Sequence, residues 1–163
     1  MELTIEQALQ QGVAAHKEGK LEEAERLYRA ILQSQPTHPD ANHNLGVIAV
    51  SVNKAEAALS LFKTALEANP KIEQFWLSYI DALIKEKQFD NAKAVLEQGR
   101  KVGLVGDKIE ALDAQLKKIA QSALPKLSDK NKSLKLKKKR KKIAESKQQK
   151  KQVKSKNANS LSP

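Results

Sequence analysis

The chain has 163 residues, with 30 Lys and Arg against 19 Asp and Glu, no Cys and a net charge of +11. Residues 1–120 carry 15 basic and 17 acidic side chains, a net of −2, while residues 121–163 carry 15 basic and 2 acidic, a net of +13, so the basic excess sits wholly in the last 43 residues. Such a length allows one compact domain with a tail, and the lack of Cys excludes a disulfide framework, a Cys-based zinc site and a thiol nucleophile. The longest apolar runs, such as the one around residues 46–50, fall far short of the roughly 18–20 residues of a membrane span. Residues 1–6 show no basic segment leading into an apolar one, so no secretory signal is read and a cytoplasmic protein is expected.

The predicted elements are helices. Thr4 caps the first, with Gln7 in the capping-box position. Ile5, Ala8, Leu9, Gly12 and Ala15 then recur at helical spacing. Glu18, Gly19 and Lys20 turn the chain, a second helix spans residues 21–32, and Gln35-Pro36 stops it. Pro39 suits the first position of the third helix, where no N–H is needed. That helix runs to about Val52, a turn follows near Asn53, and a fourth helix covers residues 55–68 before Asn69-Pro70. Helices over residues 73–84 and 89–100 complete a third pair.

Shifting the chain by 34 residues superposes these pairs. Gly12 falls on Gly46, Ala24 on Ala58 and Ala92, Tyr28 on Phe62 and Leu96, and Pro36 on Pro70, while a further shift places Trp76 and Tyr79 at the front of the third unit. Small residues recur where two helices touch, large apolar ones where they interlock, and Pro where a helix must stop. The third unit ends on Leu104 in place of Pro. Asp107 is then expected to cap a last helix with Glu110 at the box position. Its apolar stripe of Ile109, Leu112, Leu116 and Ile119 covers the end of the stack, while Asp113, Lys117 and Lys118 face away.

The unit carrying Trp, Leu-Gly, Tyr, Ala, Phe and Pro at fixed offsets resembles the tetratricopeptide repeat. The matching positions are Gly12, Gly19, Ala24, Tyr28 and Pro36; Leu45, Gly46, Ala58, Phe62, Ala65 and Pro70; and Trp76, Tyr79, Ala92 and Leu96. The expected fold class is therefore all-α: a right-handed α-solenoid of three such helix-turn-helix repeats (about 5–38, 39–72 and 73–106) plus a capping helix at 107–121. Together these make a repeat domain over residues 4–121, followed by a disordered Lys-rich tail over 122–163.

The resemblance implies a concave groove lined by the first helix of each pair, which takes an extended peptide or a partner's helix. Mapped onto this chain, the groove comprises Leu9, Gln10, Val13 and His16 from the first unit, Asn44, Val47 and Ser51 from the second, and Leu77, Ser78, Asp81 and Ile84 from the third. A carboxylate clamp of the kind some relatives use needs basic residues where this chain has Leu9, Gln74 and Ser78, and only Asn44 fits. Gln10, Asn44 and Ser78 are expected instead to bond the backbone of an extended chain. Similar repeats also head bacterial multi-repeat proteins in which a Lys-rich linker leads to more repeats or a transferase domain, and the resemblance thereby implies, as an alternative, an N-terminal regulatory fragment of such a transferase.

Tyr28, Phe62, Trp76 and Tyr79 are read as packing residues, with an edge of Trp76 available to the groove. His38, Asp40 and His43 straddle a helix start and no second carboxylate converges on them, so no metal site is expected, and His16 and His43 are read as groove-lining. No phosphate loop, His-Glu-x-x-His or Gly-x-Ser-x-Gly motif is present, and Glu22, Glu23, Glu25 and Arg26 read as a solvated helix face, so neither catalysis nor a cofactor is expected.

Residues 121–163 hold seven Leu, Ile or Val among 43 and no aromatic. About 16 per cent lies below the roughly 20 per cent at which chains stop folding alone. Lys135, Lys137, Lys138, Lys139, Arg140, Lys141 and Lys142 form the strongest signal there. They read either as a self-repelling linker or as a salt-sensitive contact to RNA, DNA or ribosomes, without stacking aromatics to give sequence preference. Leu134, Leu136, Ile143 and Val153 do not share one helical face, which disfavours a membrane-surface role, and in a eukaryotic cell the same run would resemble a nuclear import signal. A monomeric, non-catalytic interaction scaffold is the expectation, with a protein or peptide ligand in the groove.

Overall fold

The computed structural model describes residues 3–158, with side chains placed for residues 3–122 and 133–146. Residues 159–163 of the expected tail, and the side chain of Val153, lie outside the described residues. Seven α-helices follow one another: α1 (Ile5–Lys17), α2 (Leu21–Ser34), α3 (Pro39–Ser51), α4 (Ala55–Ala68), α5 (Glu73–Lys85), α6 (Phe89–Lys101) and α7 (Asp107–Ala158). Among the described residues there is no strand.

Local chemistry sets the helix ends. The capping box at α1 is complete: the Gln7 amide donates to Thr4 Oγ1 at 3.1 Å, and the Thr4 amide donates to Gln7 Oε1 at 3.0 Å. Pro39 is the first residue of α3, and His38 caps that helix, its Nδ1 accepting from the Ala41 amide at 3.3 Å. The first helix of each pair closes with the same Schellman-type bond, from Lys20 to Ala15 O (2.9 Å), Lys54 to Ala49 O (2.8 Å) and Gln88 to Leu83 O (2.8 Å). The residue that turns the chain there has positive φ each time: Gly19 at 77°, Asn53 at 59° and Lys87 at 58°. At the far end of the third pair Asp107 is the first helical residue rather than its cap, and the Glu110 amide reaches back to Gly106 O at 3.1 Å.

Packing follows the 34-residue period. A β-carbon added to Gly12 would lie 2.7 Å from the Tyr28 ring, and one added to Gly46 would lie 2.7 Å from the Phe62 ring, so each ring uses the space that a glycine leaves open on the partner helix. The Tyr28 hydroxyl is buried, and among the described residues no group meets hydrogen-bond geometry with it; burial raises its pKa, with the nearby Asn44 side chain opposing. A second repeating device joins successive pairs. Asn42 Nδ2 donates to Pro36 O at 2.9 Å, and Trp76 Nε1, 34 residues on, donates to Pro70 O at 2.8 Å. Two unlike side chains thus make one bond at equivalent junctions. Trp76 is only 3% exposed and stacks near Gly99 and Leu104; the expected groove edge is absent because its indole is committed to this junction.

Contacts run within pairs (α1 with α2, α3 with α4, α5 with α6) and between neighbours (α2 with α3, α4 with α5), and α1 and α5 each also meet α3. The first helices therefore touch one another and the second helices do not. An arc whose inner members touch and whose outer members are splayed is concave on the side of α1, α3 and α5. Ile109 and Leu116 of α7 are buried and Arg100 pairs with Asp113 at 3.0 Å, so the opening turns of α7 belong to this unit.

Contacts divide the chain into two units, Met1–Leu116 and Lys117–Pro163. In the second, α7 continues to Ala158. The backbone of residues 122–158 is helical, and Lys, Leu, Ala, Gln and Glu are good helix formers whether or not they bury a core. Side chains 133–146 are all exposed. Like charges stand four apart at Lys135/Lys139, Lys137/Lys141 and Lys138/Lys142, each pair costing about 0.2–0.5 kcal/mol, and Pro125 offers no N–H to the helix ladder. Among the described side chains of residues 133–146 none is buried, and a helix held by local propensity is marginal in water.

Candidate groove and its central bridge

The concave face is organised around His43 of α3. Its Nε2 lies 2.9 Å from Ser78 Oγ of α5, Gln74 Nε2 donates to the same Ser78 hydroxyl at 3.2 Å, and His43 Nδ1 lies 3.4 Å from Asn44 Oδ1. The imidazole is wedged between aromatic rings, its centroid 4.8 Å from Phe75 and 5.6 Å from Phe62. A hydroxyl both donates and accepts, so Ser78 serves either imidazole tautomer. The result is a polar bridge that ties two neighbouring first helices together at the floor of the face.

Burial pushes the His43 pKa below the usual histidine value, with the Asn44 hydrogen bond and the Asp40 carboxylate pulling the other way. The unfolded chain therefore takes up the His43 proton at a higher pH than the folded one. Stability from the neutral ring is complete above about pH 6.5 and is lost as pH falls below it. His43→Phe, which keeps the ring packing and removes the proton site, is expected to flatten the fall in melting temperature between about pH 7 and pH 5. Thermal melts of both proteins across that range check it, and an unchanged slope would remove His43 from the account.

Beside this bridge, α5 and α7 flank a shallow, open cleft of about 380 Å³ lined by Gln74, Leu77, Ser78, Asp81, Lys108, Ala111, Leu112 and Gln115. Leu77, Ala111 and Leu112 make apolar walls; the amides, the hydroxyl, Asp81 and Lys108 ring them. Asp81 is partly engaged by Lys85 at 2.8 Å. An apolar side chain enclosed by amide and hydroxyl groups that can bond a neighbouring backbone is what the arrangement can hold. A larger hollow of about 600 Å³ lies at the junction of the first two pairs, lined by Gln35, Thr37, His38, Pro39, Thr64, Glu67 and Ala68. There His38 is already occupied as the α3 cap.

The eleven residues read as groove-lining fall into three sets. Asn44, Leu77, Ser78 and Asp81 gather around the bridge and cleft. Leu9, Val13 and His16 are half-buried and Gln10 exposed along α1, and Val47 packs half-buried against the Phe62 cluster. Ser51 is exposed, with its hydroxyl donating to Ile48 O at 2.7 Å, and Ile84 is 8% exposed. Sequence reasoning did not identify Lys108, Ala111 and Gln115, because they lie off the apolar stripe of α7 and gain meaning only from α5 across the cleft. Of the polyanion candidates, Lys135, Lys137, Lys138, Lys139, Arg140, Lys141 and Lys142 are all exposed on α7. Among the described residues no three His, Asp or Glu side chains converge on a metal position, and no helix is long and apolar enough to cross a membrane.

Helix pairs at a 34-residue period, stacked with their first helices on a concave face, define a helical-repeat interaction fold. Two profiles of the tetratricopeptide repeat match the chain over residues 9–70 and 49–116, and the chain belongs to that family. Solved structures share the fold. The Sgt2 TPR domain from Aspergillus fumigatus is 20% identical, with a TM-score of 0.65 over 74% of this chain and 82% of that one. The second TPR domain of human RPAP3, in complex with the HSP70 peptide SGPTIEEVD, is 16% identical, with a TM-score of 0.61 over 68% of this chain and 92% of that one. PilF of Pseudomonas aeruginosa is 20% identical, with a TM-score of 0.62 over 72% of this chain; the match spans 54% of the PilF chain. No curated protein matches the sequence.

Proposed function

We propose that the protein is a non-catalytic adaptor whose concave face holds an extended segment of a partner protein. The observation that carries this reading is the cleft between α5 and α7, adjoining the His43–Ser78–Gln74 bridge. Its walls take one apolar side chain, while Gln74, Ser78 and Gln115 bond the partner's backbone on either side. Asn44 and the α1 residues Leu9, Gln10, Val13 and His16 extend the track toward the other end of the face. With Leu9, Gln74 and Ser78 at the clamp positions, the cationic set that would select a C-terminal carboxylate is missing, so the preferred segment is internal. A solved relative, the RPAP3 domain, holds a peptide, which supports this mode of use for the fold.

The test uses peptides selected from a random library on the full-length protein. Asn44→Ala combined with Leu77→Glu removes a backbone partner and places a charge on the cleft wall, and is expected to abolish binding of the selected peptides while circular dichroism stays unchanged. Leu77 is largely buried, so Ala111→Trp, at an exposed wall position, provides an independent plug that spares the core. Loss of binding in both variants supports the groove; retention in both places the ligand on another surface.

A further inference from the structure

We propose that residues 135–142 of α7 bind the phosphate backbone of B-form duplex DNA as a helix lying in the major groove, without reading sequence. Seven of these eight residues are Lys or Arg, all are exposed, and none makes an ion pair among the described residues. At a rise of about 1.5 Å per residue they present one positive charge per roughly 1.7 Å of helix axis. Duplex DNA presents one negative charge per roughly 1.7 Å of its own axis. The two linear charge densities match.

The distribution around the helix selects the kind of polyanion. Successive residues turn by about 100°, so the unbroken cations of 137–142 point to every side. A membrane surface is a plane and would neutralise one side only. The exposed Leu134, Leu136 and Ile143 give no apolar stripe to insert, since only Leu136 and Ile143 share a face. A B-form major groove, about 12 Å wide, admits a helix and sets phosphates along both of its flanks. The major groove of A-form RNA is too narrow for this. Single strands are held largely by stacking on aromatic rings, and the last aromatic residue of the chain is Phe89. Lys is a point charge that binds phosphate without geometric preference; Arg140 is the only forked donor in the run, so base readout is not built in.

The experiment is a salt titration of full-length protein with a DNA duplex of about 20 base pairs, alongside an RNA duplex of the same sequence and vesicles containing phosphatidylserine. Neutralising five or six phosphates predicts a slope near −5 in log affinity against log salt, hence an approximately thousand-fold loss from about 50 to about 200 mM. Replacing residues 137–142 together by Gln, whose helix propensity is close to that of Lys, should weaken duplex binding at least ten-fold at low salt and make the slope clearly shallower, with the nine remaining Lys of residues 121–163 carrying what binding is left. Circular dichroism of that variant keeps the outcome separate from loss of helix. Affinity for the RNA duplex and the vesicles should be at least ten-fold lower than for DNA. Equal affinity for RNA or vesicles, no DNA binding at the lowest salt, or an unchanged slope in the Gln variant would each overturn the proposal.

Discussion

Phe62→Ala is expected to cost the repeat unit about 3–5 kcal/mol and to lower its melting temperature by about 10–20 °C. The ring is 2% exposed, in a cluster with Ala58 and Ala82 that Val47, Leu59 and Tyr79 close. It fills the space opened by Gly46 and forms one wall of the His43 pocket. Removing it leaves a cavity that three helices would have to collapse to fill. Gly46→Ala alone pushes a methyl group to 2.7 Å from the same ring, an overpacking cost of about 1–3 kcal/mol against about 1 kcal/mol gained in helix propensity. With Phe62 already removed, that clash disappears. The double variant should therefore be more stable than the sum of the single effects by at least about 1 kcal/mol. Urea unfolding of the four chains measures this, and strict additivity would show that the two positions do not share one space.

That pairing was legible in the sequence, since Gly12 and Gly46 recur 34 residues apart, as do Tyr28 and Phe62. The same period located the pairs, and Pro36, Pro70 and the turns at Gly19 and Asn53 fixed helix ends to within two residues for α2 to α6. What stayed hidden depends on partners distant in sequence or on side chains doing unlike things at like positions. Asn42 and Trp76 occupy equivalent sites and donate to equivalent carbonyls, yet no residue-type comparison would pair an amide with an indole. His38 lay next to Pro39 and was weighed as a metal ligand, whereas its geometry before a helix start makes it a cap. The α5–α7 cleft was hidden for a different reason: a periodic stripe reveals which face of α7 is buried, but its flank acquires a role only when α5 is set opposite.

A second large effect concerns the opening turns of α7. Ile109→Ala with Leu116→Ala is expected to remove about 4–8 kcal/mol in all, comparable to the whole stability of an ordinary domain, and so to unfold much of the repeat unit at room temperature. Ile109 and Leu116 are 1% and 7% exposed and sit on the face that the stack needs covered. Leu134→Ala with Leu136→Ala, on the same helix but more than half exposed, should change stability by no more than about 0.5 kcal/mol per site. Chemical denaturation of the two double variants gives the comparison. Equal effects would mean that α7 contributes to the unit by its length and not by its buried face.

The three turn residues with positive φ differ in what their conformation costs. Gly19 adopts it freely and Asn53 tolerates it, but Lys87 carries a β-carbon into the left-handed region at 58°, at a cost of about 1–2 kcal/mol. That strain falls on the α5–α6 pair, which also carries one wall of the cleft. Because Ser78 of α5 is bonded to His43 of α3 and α4 packs on α5, any give at this turn is transmitted to the middle of the array.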